Sequence, residues 1–418
     1  MSRAFIVGVH STPFRKWPEQ TFRELAETAL SGVLEDAGLE SGSGIEHITF
    51  ANCAMGTWGQ SNVRGQSCLS AAAREGRINE RAPIVNVEAG CATGSVAFHQ
   101  IVTAIEAGQI AQGLALGVEK VWVPDDLAKT FGVFSGGIDQ LHPSEWRTFF
   151  AEEGERTGVG FDPHPHRVLF LDVHAMQARD HMARHGTTPE HLATIAAKNH
   201  QNGRDNENAQ FRFGMTAEKV LADKAVLAPF TRSMCAPISD GAAALLLVSE
   251  QALATFPAAV RDRAICVRSS TLTGGAFRRL GDDTVLDHAA RAAYQRAGLS
   301  PQDVDMAEVH DATAYCELHA YEALGFCDRG QGGAYALSGA TQKSGERPVN
   351  ASGGLIAKGH PLAATGLGML EELVVQLRGE AGAKQVKGDP VIALQQNAGG
   401  LVGLDEAVCA IHLLERVQ

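Results

Sequence analysis

Four short stretches of the sequence hold residues that can do chemistry. Cys91 lies in EAGCATGSVAF, after the apolar run IVNV and before the helical pattern GSVAFHQIVTAIEAG. A cysteine attacks as the thiolate, and a thiol at the start of a helix feels the positive end of the dipole, which predicts a lowered pKa. The small neighbours Ala89, Gly90, Ala92, Thr93 and Gly94 leave room for a bulky acyl group and for backbone N–H groups aimed at a developing oxyanion. The same pattern also suits a small buried cysteine in a tight strand–helix turn.

His360 stands in Lys358-Gly359-His360-Pro361, with Gly353, Gly354, Gly359 and Gly366 crowding the segment. Pro361 fixes the backbone after it, and a histidine held there could take a thiol proton as general base; the alternative is a surface turn histidine. His310 and Asp311 end a short strand at 305–310, where α/β enzymes place polar groups facing a cleft. Asp311 alternatively caps a helix at 315–324. The run Gln395-Gln396-Asn397-Ala398-Gly399-Gly400 follows a strand at 391–394, and its glycines permit a close backbone approach to a ligand or form an ordinary turn. His164, Pro165 and His166 lack spaced partners for a metal, and Cys53, Cys235, Cys266, Cys316, Cys327 and Cys409 read as core residues.

The elements that must position these residues occur twice. TFRELAETALSGVLEDAGLESGSGIEHITFAN and TVLDHAARAAYQRAGLSPQDVDMAEVHDAT each run from an amphipathic helix through Ala-Gly-Leu to a short strand, with Gly38 and Gly298 where a helix end favours a left-handed residue. Cys91 follows Gly38 by 53 residues, and His360 follows Gly298 by 62. Each then leads into a long helix, so the spacing predicts a duplicated α/β unit. Residues 122–232 interrupt the first half with a His-, Gly- and Pro-rich segment containing helices at 171–185 and 189–200. An insertion of this length predicts a lid or binding element. The expected division is 1–121 with 233–255, the insert 122–232, and 256–418.

The chain has 418 residues, 44% of them apolar, enough for two or three domains' worth of core. Its formal charge of −12, without a dense basic stretch, argues against nucleic acid. No apolar run reaches the roughly 18 residues needed to cross a bilayer. MSRAFIVGVHSTPF is too short in its apolar part for a signal peptide, and LLERVQ carries no peroxisomal or retention tripeptide. Eight scattered cysteines without a Cys-x-x-Cys pair predict free thiols, no metal and a reducing, cytoplasmic setting.

In this order the four stretches resemble the thiolase superfamily, above all its sterol-carrier (lipid-transfer) branch, without the sterol-carrier domain. EAGCATGSVAF is similar to the nucleophile loop, SMCAPISDGAAALLL to the segment re-entering the core after the inserted loop domain, HDAT to the His-Asp form of this branch, and NASGGLIAKGHPLAATG to the histidine loop. The resemblance implies a five-layered αβαβα core from two duplicated halves, a loop domain covering coenzyme A, and a homodimer. It implies that Cys91 carries the acyl group, that His360 activates it, and that His360 and His310 hold the thioester oxygen. The N–H groups of Cys91 and Gly400 would form a second oxyanion hole, with Gly359 and Asp311 in support. Coenzyme A would be a cosubstrate, with no tightly bound cofactor.

The sequence departs from the family where a second cysteine is customary. The late loop reads QQNAGG, and Ala312 follows His310-Asp311. His310, Tyr315, Cys316 or a bound water are the candidates to move the α-carbon proton, or a partner completes the site, such as the small OB-fold, zinc-ribbon acyl-CoA-binding proteins that accompany some thiolase-like chains. The resemblance therefore implies cleavage or formation of a β-ketoacyl-CoA. The alternatives are a retro-aldolase acting on a β-hydroxyacyl-CoA and, last, a non-catalytic acyl-CoA or lipid carrier. Trp122, Phe131, Phe134, Trp146, Phe149 and Phe150 of the insert would suit a bulky or aromatic acyl chain.

Overall fold

The structure, a computed structural model, describes residues 2–164 and 167–417. Pro165 and His166, in the run read as holding no metal, lie outside the described residues. The strands are β1 (Ala4–Ser11), β2 (His47–Ala51), β3 (Ile84–Val87), β4 (Gln112–Glu119), β5 (Ala225–Leu227), β6 (Phe230–Thr231), β7 (Gly241–Ser249), β8 (Ile265–Gly274), β9 (Met306–Val309), β10 (Ile392–Gly399) and β11 (Val408–Arg416). Nine of them follow one another in the order β3-β2-β4-β7-β1-β8-β11-β10-β9. This row is two half-sheets. β1 and β8 touch through only two residue pairs, Phe5–Cys266 and Ile6–Ile265.

The two halves share a plan. In each, a strand, a helix (Phe22–Asp36 or Val285–Ala297), a parallel strand (β2 or β9) and a long helix (Thr93–Glu106 or Leu362–Leu377) precede a further parallel strand (β4 or β10). Beyond β9, where β3 lies beyond β2, the second half keeps only the single parallel bridge Ala307–Val349.

Hydrophobic patterning explains the layers. β7 alternates between two cores: Ala242, Ala244, Leu246 and Val248 face the helices Phe22–Asp36 and Arg64–Arg74, and Ala243, Leu245 and Leu247 face the central pair Thr93–Glu106 and Leu362–Leu377. A strand buried on both faces reads as an unbroken apolar run, as GAAALLLVS does. A third core joins the second half-sheet to Val285–Ala297 and Ala314–Ala323. The result is the five-layered αβαβα arrangement, with the central helices shared between the half-sheets.

Those central helices lie unusually close. A Cβ on Gly94 would lie 2.6 Å from the Ala363 carbonyl oxygen, and one on Gly366 would lie 2.7 Å from the Ser95 nitrogen. Residues 122–232 form the helices Leu127–Ser135, Pro143–Arg156, Leu169–His185, Pro189–Gly203 and Ala217–Leu221 and the β5–β6 hairpin before the chain rejoins the sheet at β7. Trp146, Phe149 and Phe150 form a separate small core here. Among the described residues, no helix is long and apolar enough to cross a membrane.

Gly366→Val is expected to destabilise the protein by about 1–3 kcal/mol or more through overpacking. Gly132→Ala, on a helix with no atom within 4 Å of the added carbon, should be neutral or stabilising by about 0.5–1 kcal/mol. Denaturant midpoints measure both, and a Gly366→Val midpoint at the wild-type value contradicts the packing described.

Candidate active site

Cys91 occupies the turn Gly90–Ala92 between β3 and the helix Thr93–Glu106. Thr93 ties this turn together. Its hydroxyl donates to the Gly90 carbonyl (2.6 Å) and accepts from the Ala89 N–H (2.8 Å). The late glycines close over it. A Cβ on Gly399 would lie 2.5 Å from the Cys91 nitrogen, and one on Gly90 would lie 2.6 Å from the Gly400 nitrogen. The backbones of residues 90–91 and 399–400 therefore lie in contact, which only glycine permits.

His360 enters from the other half. Gly359, at φ +110°, turns the chain so that the ring heads the helix Leu362–Leu377. His360 Nδ1 lies 2.8 Å from the Thr365 hydroxyl, and that hydroxyl donates to the Pro361 carbonyl (3.1 Å). The hydroxyl oxygen therefore accepts from Nδ1–H, which leaves the Nε2 lone pair free. His310 follows β9, its backbone N–H donating to Gln396 Oε1 (3.0 Å). The rings of His310 and His360 lie 5.1 Å apart. Cys91, His310 and His360 bring one donor atom each to within 4.8 Å of one another. Nε2 of both histidines is buried without a hydrogen-bond partner in the protein. Such a set suits proton transfer from a thiol, and could equally ligate a soft divalent ion.

Asp311 does not cap the helix Ala314–Ala323. Its carboxylate faces away and accepts from Leu355 N–H (2.6 Å), Ile356 N–H (3.3 Å) and Asn199 Nδ2 (2.7 Å). It thus satisfies the start of the short helix Gly354–Lys358 inside the histidine loop. Burial and the nearby Glu317 push its carboxyl well above the usual range.

The expected lowering of the Cys91 pKa is not found. Burial, with Glu119 and Glu88 nearby, pushes the thiol up to about 12. Burial pushes His360 down to about 3 and His310 well below the ordinary imidazole value, the latter also through the neighbouring His360 and His174. Desolvation outweighs the helix start, so the resting pair is a thiol beside a neutral imidazole. Glu119, on β4 beneath the loop, was not legible in sequence. It accepts from Cys53 and Ala54 N–H groups (2.9 Å each), and burial raises its pKa to about 7.

The three groups open into a cavity of about 260 Å³. Phe131 and Phe134 line it, as does Phe170; Trp146, Phe149 and Phe150 are core residues instead. Trp122 lies under the Lys16 ammonium. Ala312, Ala398, His174 and Glu406 also line the cavity. Tyr315 lines a second cavity, and Cys316 is engaged with the Thr313 hydroxyl at 3.2 Å.

Thr365→Val removes the group that fixes the His360 tautomer. Alkylation of Cys91 by iodoacetamide should slow about tenfold, less than the roughly 10²- to 10⁴-fold a general base contributes because the imidazole itself remains, with little change in fold; peptide mass mapping follows it. An unchanged rate contradicts the tautomer assignment.

Residues 4–132 match the model of the thiolase N-terminal domain and residues 276–411 that of the thiolase C-terminal domain-like family. The chain is 35% identical to an acetyl-CoA acetyltransferase of Methanothermobacter thermautotrophicus, over 98% of this chain and 99% of that protein. It is 34% identical to human sterol carrier protein 2, over 96% of this chain and 70% of that one. The solved structure of an Ltp2-ChsH2(DUF35) aldolase superposes with a TM-score of 0.77, covering 100% of this chain and 98% of that one at 20% identity, a likeness of fold. With a cysteine from one half and histidines from the other meeting at one cavity, the chain belongs to the thiolase family, as an enzyme of its acyltransferase class.

Proposed function

We propose that the protein cleaves, or forms, a β-ketoacyl-CoA through a thioester on Cys91. The observation that carries this reading is the meeting of Cys91, His310 and His360 donor atoms within 4.8 Å at one cavity. His360 Nε2 takes the thiol proton as sulfur attacks the β-carbonyl. Because the free thiol and imidazole resist charging, proton transfer accompanies attack rather than preceding it. The N–H groups of Cys91 and Gly400 hold the oxygen at that carbon. After proton transfer, Nε2 of His360 can donate, and with His310 it holds the thioester oxygen of the leaving enolate; two buried, unpartnered ring nitrogens suit that task. Coenzyme A is the cosubstrate that removes the acyl group, and no tightly bound cofactor is required. The insert 122–232 covers the substrate, and the apolar lining by Phe131, Phe134, Phe170, Leu171 and Ile238 favours a bulky or aromatic acyl chain.

Ala312 in the lining and the cysteine-free QQNAGG loop favour a second reading. With no cysteine at either place, the site could release a ketone or aldehyde from a β-hydroxyacyl-CoA by retro-aldol cleavage, as the Ltp2-ChsH2(DUF35) neighbour is an aldolase. A small OB-fold, zinc-ribbon partner that presents acyl-CoA fits either reading. A homodimer would form along β3, an edge strand whose Val85 is 44% exposed. The eight free cysteines suit the reducing cytoplasm.

With β-ketoacyl-CoA and added CoA, wild-type protein should show an acyl adduct on Cys91 by intact mass, and Cys91→Ala should lose at least about 10³-fold activity. Cleavage without added CoA, undiminished in Cys91→Ala, excludes the thioester route and selects the retro-aldolase. Val85→Asp is expected to convert a dimer to a monomer by light scattering; an unchanged mass removes β3 as the interface.

A further inference from the structure

Breaking the bond between the α- and β-carbons leaves an electron pair on the α-carbon that must meet a proton. Where the family customarily keeps a second cysteine, this chain has Ala312 after His310-Asp311 and a late loop, QQNAGG, without cysteine. Glu406 lines the Cys91 cavity. Its backbone is fixed from both sides. Asp405 accepts from Val285 N–H (2.9 Å), Ala276 N–H (3.2 Å) and Arg278 Nε (3.1 Å), and a Cβ on Gly275 would strike the Glu406 carbonyl. Among the lining residues with Glu406 is His174, 5% exposed, on the helix Leu169–His185, its Nδ1 buried without a hydrogen-bond partner in the protein.

We propose that Glu406 is the catalytic acid–base group that moves the α-carbon proton, with His174 as the polar neighbour that shares its charge. The proposal rests on the thioester reading and supplies the step which that reading leaves without a residue. In thiolysis, Cys91 sulfur bonds to the β-carbon and the α–β bond breaks. Its electron pair takes the proton of the Glu406 carboxyl, releasing a short acyl-CoA and leaving the carboxylate. The incoming CoA thiol returns that proton to Glu406, and its sulfur displaces Cys91, which recovers its own proton from His360. Burial, with Asp405 beside it, shifts Glu406 toward the protonated form that the first proton transfer needs; His174 and Arg278 oppose the shift.

The test is exchange of the acetyl-CoA methyl protons in D2O, which requires the α-proton step but neither attack by Cys91 nor acyl transfer. Glu406→Gln should lower exchange and thiolysis about 10²- to 10⁴-fold, the usual contribution of a general acid or base, while Glu406→Asp keeps measurable exchange. Alkylation of Cys91 by iodoacetamide should be no slower in Glu406→Gln, because glutamine adds no charge at the cavity; this reports a folded, open site. Exchange at the wild-type rate in Glu406→Gln overturns the assignment. Absence of both exchange and thiolysis in wild-type protein whose Cys91 still alkylates overturns the thioester reading beneath it.

Discussion

The site depends on how closely two strand–helix junctions, one from each half, can approach. At Gly90, Gly94, Gly366, Gly399 and Gly400, an added carbon would sit within 3 Å of an atom outside its own local segment, and most of these neighbours are backbone. Backbone cannot move aside as a flexible side chain can. The glycines let the central helices start almost in contact, and that contact carries Cys91 of one half to the imidazole of the other. A shift of an ångström at this junction would leave the fold intact and put the thiol out of proton-transfer reach.

Placing the pair there has an electrostatic consequence. A buried cysteine and two buried histidines remain neutral, because an isolated charge costs more to bury than a helix terminus returns. The carboxylates behind the loops are paired. Lys198 pairs with Glu317 at 2.6 Å, Asn350 donates to Glu317 at 2.8 Å, and Asn199 bridges Glu317 and Asp311. Three buried atoms without a protein partner line the cavity: Nε2 of His310, Nε2 of His360 and Nδ1 of His174. Burying such an atom without a protein partner costs about 1–3 kcal/mol. A ligand that accepts from or donates to them recovers that cost, which favours polar density where an oxyanion forms.

Much of this was legible in sequence because it depends on residue type and period. The duplicated Ala-Gly-Leu helix ends, the helices of the insert near 171–185 and 189–200 and the placement of Cys91 and His360 at helix starts all match the structure. The segment 395–399 did not. Its Gln-Gln-Asn polarity suggested a loop, yet β10 runs to Gly399, because those amides bond inward to Ser95 and to the His310 backbone. Asp311 reads in sequence as a cleft group or a local cap, but its carboxylate caps a helix more than forty residues further along the chain. Thr365 lies in the histidine-loop stretch without a role legible there, and Glu119 lies outside every quoted stretch; the roles of both arise from neighbours that the fold supplies. The sign of the Cys91 shift failed for the same reason, since the degree of burial is a tertiary property.

The insert is tied to the chemistry more tightly than a covering flap would be. Ala175 and Ala178 of the helix Leu169–His185 are part of the second half's core, while Leu171 and His174 of that helix line the cavity. The next helix, Pro189–Gly203, sends Lys198 and Asn199 into the carboxylates that set the His310 and His360 loops. Phe170, Leu171 and His174 of the cavity therefore sit on the helix just before the one that braces the His310 and His360 loops. A displacement of the helix Pro189–Gly203 would loosen the Asp311–Asn199–Glu317 network and with it the imidazole placement. Selectivity can then act on rate as well as on binding, because a poorly fitting acyl chain disturbs the positions of the groups that stabilise its transition state.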